Sequence, residues 1–177
     1  MISQSDNLLL QSYYSVSLLV ELRNNNFLES QFFEGMSFGA PWIKAGIKTI
    51  GVDNQGSLLM SLYAMLVIPR ELVFHKYEKN VNEIQRFLRA NCKVIKNDYQ
   101  TKNEKINFLR HMRNSVSHAS VEFDPNNTVT FTDTNPRSKK IIQFKLPLIL
   151  IKELLTKSQE VHLQHIRANQ GGGECIK

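Results

Sequence analysis

The sequence predicts a mainly α-helical protein. We expect an up-and-down helical bundle with a small antiparallel β-hairpin or meander inserted before the last helix. Two observations carry that expectation. Val73, Tyr77, Val81, Ile84 and Leu88 recur at intervals of four, four, three and four residues, which puts them on one face of a helix. Further along, the period drops to two. Val121 and Phe123 alternate with Glu122 and Asp124, and Thr128, Thr130 and Thr132 alternate with Val129 and Phe131. Such alternation on either side of the turn-forming run Asp124-Pro125-Asn126-Asn127 is the pattern of a hairpin.

The remaining elements follow from the same two periods. Leu9, Tyr13, Val16, Val20 and Phe27 give residues 5–33 helical spacing, with Asn24-Asn25-Asn26 as a candidate interruption. Residues 35–41 form a break, and residues 42–50 are a candidate short helical turn. Asp53, Asn54 and Ser57 are candidate caps for residues 58–68, which are apolar on nearly every side and read as a central core helix. Pro69 ends or kinks that helix and is suited to start the next one, the amphipathic stretch 70–90. Residues 91–100 read as a polar connection, and Thr101 with Glu104 forms a capping box for a helix over residues 101–119. Residues 141–144 are a candidate third strand, and a last helix covers 147–167. One domain over residues 1–169 is expected, with a disordered tail at 170–177 that contains Gly171-Gly172-Gly173.

Composition narrows the class. A chain of 177 residues, 42% hydrophobic and 21% charged, suits one globular domain with a core. The net charge of +6 favours polyanionic partners but is spread along the chain. Cys92 and Cys175 form neither a disulfide framework nor a zinc spacing. The longest apolar stretch is too short to span a bilayer. With no leader pattern at the N-terminus, the expected location is cytoplasmic.

The segment Arg113-Asn114-Ser115-Val116-Ser117-His118 carries the chemistry. Imidazole moves protons near neutral pH, and guanidinium grips phosphate through a fixed fork of donors. At about 100° per residue, Ile106, Phe108, Leu109, Met112, Val116 and Ala119 share a core arc. Asn107, Arg110, His111, Asn114 and His118 lie opposite, and Arg113 falls at the edge of the apolar arc. Asn114 and His118 are four residues apart and share a face. Arg113 and His118 of one straight helix do not converge on one phosphate, so a two-fold partner is expected to complete a composite site. The spacing alone is loose, because Arg70 and His75 satisfy it too.

This segment resembles the signature of the HEPN superfamily: arginine, four to six residues, then histidine, commonly with asparagine after the arginine. The surrounding Leu109-Arg110-His111-Met112 and the Leu62-Tyr63-Ala64-Met65-Leu66 run ending in Pro69-Arg70-Glu71 add to the likeness, which covers most of residues 53–167. The resemblance implies a bundle that dimerises through the motif helices. It also implies a metal-independent endoribonuclease that leaves a 2′,3′-cyclic phosphate and a 5′-hydroxyl. His118 would be the general base or acid, Arg113 the phosphate and transition-state stabiliser, and Asn114 the orienting group. No cofactor or metal is implied. Arg110 and His111 are candidate RNA contacts. A toxin or defence role is implied by analogy. The alternative is a non-catalytic module that binds RNA or a partner protein, such as a nucleotidyltransferase antitoxin. His162 and His165 lack a carboxylate at matching sequence spacing, so a metal site there is not expected. Tyr13, Tyr14 and Tyr63 read as core aromatics ahead of base-stacking groups.

Overall fold

The computed structural model describes residues 3–100 and 102–170. They form a mainly helical bundle with one four-stranded antiparallel sheet. Helix α1 (Gln4–Asn24) starts at Ser3, whose hydroxyl accepts the Asp6 backbone N–H. Asn26 takes a left-handed conformation (φ 47°) and ends the segment expected to run to residue 33. Phe27–Glu29 is a single 3-10 turn, and α2 is Gln31–Gly35. Leu9 and Val16 face the core as expected, whereas Val20 is exposed. The candidate turn after the break is a full helix, α3 (Pro41–Ile50), with Pro41 in its first turn.

The central apolar segment is helical but not uniform. Helix α4 (Gln55–Leu62) is capped by Asn54, whose side chain accepts from Ser57. A π-helical turn, Tyr63–Val67, follows, and α5 (Ile68–Leu72) completes the run. Pro69 offers no N–H to the carbonyl four residues back, and the wide turn directly precedes it. Leu62, Met65 and Leu66 are buried, while Met60 and Tyr63 are exposed.

The amphipathic stretch expected as one helix over 70–90 is broken. Residues Phe74–Lys76 form a 3-10 turn, and α6 is Glu78–Asn91. Val73, Ile84 and Leu88 still reach the core, because the break keeps the apolar side turned inward. His75 falls in the 3-10 turn and is exposed, so the second arginine–histidine match does not lie on one helix.

The largest correction concerns residues 91–100. They hold a strand, β1 (Lys93–Asn97), where a polar connection was expected. It pairs with β4 (Ile141–Pro147), and the register shifts between Val94 and Lys96. That bulge disrupts the two-residue period, and lysines on an edge strand keep its sequence polar. The hairpin expected around residue 125 is present as β2 (Val121–Asp124) and β3 (Thr128–Thr134), and the candidate third strand is β4. The sheet order is β1-β4-β3-β2. Pro147 closes β4, and the last helix, α8 (Leu148–Gln170), begins after it. Of the tail expected at residues 170–177, Gln170 is the last residue of α8, and residues 171–177 lie outside the described residues, as does Thr101 of the expected capping box.

The motif helix α7 is Phe108–Ser117, shorter than expected. Asn107 is its cap and accepts from the Arg110 N–H at 3.0 Å. Buried Gln85 of α6 secures the same end: its Nε2 donates to the Ile106 carbonyl at 2.7 Å, and its Oε1 accepts from the Leu109 N–H at 3.0 Å. On the other side, Phe108 meets Phe144 of β4 edge-on at 5.1 Å, and Phe144 stacks on Phe131 of β3 at 5.5 Å. These aromatic contacts seat α7 against the sheet.

Candidate active site on the motif helix

The far end of α7 sets the position of His118. Ser120 N–H donates to the Ser115 carbonyl at 2.8 Å, and Ala119 N–H to the Val116 carbonyl at 3.1 Å. This pair of bonds is a Schellman ending. It requires a left-handed residue at Ala119, whose φ is 51°. Ala119 therefore leaves the core arc on which the helical wheel placed it and is exposed. His118 becomes the residue that closes the helix, and it is exposed too. Its backbone N–H still reaches the Asn114 carbonyl at 3.0 Å.

The polar side of α7 and the end of the sheet enclose a cavity of about 420 Å³. Arg110, His111, Asn114 and His118 line it from α7, Lys105 and Asn107 from the approach to α7, and Asn97 and Tyr99 from β1 and its exit. Asp133, Thr134 and Asn135 line it from β3 and the turn after it. Four of the five site residues read from the sequence thus share one cavity. Arg113 does not line it. Its guanidinium carbon sits 6.0 Å from the Phe74 ring centre, and its Nε is buried. This is the side-of-helix separation that the wheel gives for Arg113 and His118.

Asp133 lines the cavity as well and was not among the site residues read from the sequence. Its Oδ2 lies 2.7 Å from His111 Nδ1 and 3.0 Å from Asn114 Nδ2. A carboxylate only accepts, so His111 donates from Nδ1, and its Nε2 is the nitrogen left for exchange. Asp133 is 9% exposed. A signal was present: the alternation that turns Val129 and Phe131 inward also turns Asp133 inward, and a carboxylate on an apolar row needs partners. Asn114 thereby commits one amide N–H to Asp133, which leaves its second N–H and its oxygen to act toward His118 or a ligand.

Two lysines and an aromatic extend the rim. Lys140 lies over the Tyr99 ring at 5.6 Å, and Tyr99 faces His111 at 6.1 Å between ring centres. Lys105 and Arg110 are exposed. An imidazole pair, amides and exposed cations suit a phosphodiester-bearing ligand. Burial pushes the Cys92 thiol up to about 12, which disfavours its thiolate.

His162 and His165 are packed into the scaffold. His162 is fully buried and donates from Nδ1 to the Ser158 carbonyl at 2.9 Å. His165 bonds to Asp6 and Tyr77, so it has a carboxylate partner that is distant in sequence. No group of three or more His, Cys, Asp or Glu residues among the described residues is placed to hold a metal. Tyr14 and Tyr63 are exposed, where core positions were expected. No helix among the described residues is long and apolar enough to cross a membrane.

A family model described as HEPN pEK499 p136 matches residues 2–169, well beyond the stretch 53–167 that carried the resemblance. No curated protein and no solved structure matches the chain.

Proposed function

Because the chain belongs to the HEPN pEK499 p136 family, which points to nuclease or RNA-related function, we propose that it is an endoribonuclease. In this reading it cleaves RNA without a metal and leaves a 2′,3′-cyclic phosphate and a 5′-hydroxyl. One observation carries the proposal: His118 and Asn114 open onto the same cavity as Lys105 and Arg110. His118 takes the 2′-hydroxyl proton, and the cations hold the phosphate. Arg113 acts across a homodimer, the guanidinium of one copy serving the cavity of the other. A toxin or defence role would follow from uncontrolled cleavage of cellular RNA.

A second reading, a non-catalytic module that binds RNA or a partner protein, is favoured by one observation. Arg113 rests against Phe74 rather than in the cavity. One experiment separates the two. Purified protein and a His118→Ala variant are incubated with total RNA in EDTA, and the fragment ends are identified. Cleavage by the wild type alone, with cyclic phosphate ends, supports the nuclease. Intact RNA in both samples, with RNA retained in a gel shift, supports the binding module.

A further inference from the structure

We propose that His111, oriented by Asp133, is a second acid–base group that works with His118 on one RNA phosphodiester. This rests on the ribonuclease reading above and adds the proton donor that the reading lacks. Cleavage by the 2′-hydroxyl needs a base for the attacking oxygen and an acid for the leaving oxygen. His118 alone supplies one of these. His111 lines the same cavity, and its Nδ1 is fixed 2.7 Å from Asp133 Oδ2.

In-line displacement puts O2′ and O5′ on opposite sides of phosphorus, so base and acid must reach it from two sides. His111 and His118 stand about two helical turns apart in sequence and line the same cavity. Neutral His118 takes the proton from O2′ as the O2′–P bond forms. The P–O5′ bond then breaks, and O5′ takes the Nε2 proton of the His111 imidazolium. One proton is gained and one given, and both imidazoles reset by exchange with solvent. Asp133 is the positioning residue: its Oδ2 accepts from His111 Nδ1 at 2.7 Å, which selects the Nδ1–H tautomer and turns Nε2 to the cavity. This also gives the sheet a role, since β3 carries Asp133 to the motif helix. The charged and titratable groups around His111 are Asp133, Lys105, Arg110, His118, and Tyr99 with Lys140 above it.

The test compares two RNA oligonucleotides, one with the natural O5′ link and one with sulfur in place of O5′. A thiolate leaves without help from an acid. His111→Ala should cut the natural RNA at least about 100-fold more slowly and the sulfur-linked RNA near the wild-type rate. His118→Ala should be slow on both. Asp133→Asn should lower the rate on the natural RNA and leave the rate on the sulfur-linked RNA near that of the wild type. If His111→Ala is poorly folded by circular dichroism, His111→Asn, whose amide can still donate to Asp133, replaces it. Equal loss on both substrates, or no loss on either, overturns the role of His111 while wild-type cleavage keeps the ribonuclease reading. Wild-type protein that cuts neither overturns both.

Discussion

His165 Nε2 lies 2.6 Å from Asp6 Oδ1, across 159 residues of chain. The contact joins the start of α1 to the end of α8, and the Tyr77 hydroxyl meets the other ring nitrogen at 3.3 Å. A hydrogen bond from the Ser3 hydroxyl, and then one from His165, holds the Asp6 carboxyl below its ordinary range. A depressed carboxyl stabilises the fold above its unfolded value and loses that contribution as pH falls through its folded value. Asp6→Ala leaves a buried imidazole without its acceptor. We expect a loss of about 1–3 kcal/mol in urea titrations at pH 7, shrinking toward pH 3. An unchanged midpoint would show that the contact adds nothing.

His162 behaves in the same direction for a different reason. Burial pushes it below its ordinary value of 6.5. The unfolded chain therefore takes up a proton before the folded one does, and stability falls as pH drops below about 6.5. Melting midpoints measured from pH 7 to pH 5 should show this slope. His162→Asn should flatten it, because the amide can keep the bond to Ser158 and cannot titrate.

Ala119 holds a left-handed conformation beside His118. An L-residue pays about 1–2 kcal/mol for that geometry, and glycine does not. Ala119→Gly should raise the stability by roughly 1 kcal/mol while leaving RNA cleavage near the wild-type rate. A lower melting midpoint would mean that the methyl group makes a contact worth more than the strain.

Phe144 couples the sheet to α7. Phe144→Ala removes its contacts with Phe108 and Phe131 and should cost about 3–5 kcal/mol. At a temperature where the variant stays folded, activity should fall as well, because β3 and its Asp133 lose their seat against α7. Full activity in the folded variant would separate the sheet from the chemistry.

The composite dimer has a direct test by mixing. Arg113→Ala and His118→Ala should each be inactive alone. If arginine and histidine come from different copies, a mixed dimer keeps one intact pair, and activity returns on mixing after subunit exchange. No recovery, with exchange demonstrated by mass, would place both residues of a site in one copy.

Much of the site was legible because helix and strand periods fix direction. The spacing of Asn114 and His118, and the displacement of Arg113, follow from rotation per residue alone. The turn at Asp124-Pro125-Asn126-Asn127 was equally plain, since proline and asparagine favour it locally. Strand β1 was not, because a bulge and edge lysines blur its period. The break at Phe74–Lys76 was hidden too, since the same apolar spacing fits a continuous helix.

By itself, then, the sequence determined the helical class, the hairpin, the motif helix and the face that carries its polar groups. These are local properties of spacing and turn chemistry. Only the tertiary structure decided that Asp133 meets His111 and Asn114, that Gln85 anchors the start of α7, and that Asp6 finds His165. Each of these joins residues far apart in the chain, and such pairings depend on how the elements pack, which no single period encodes.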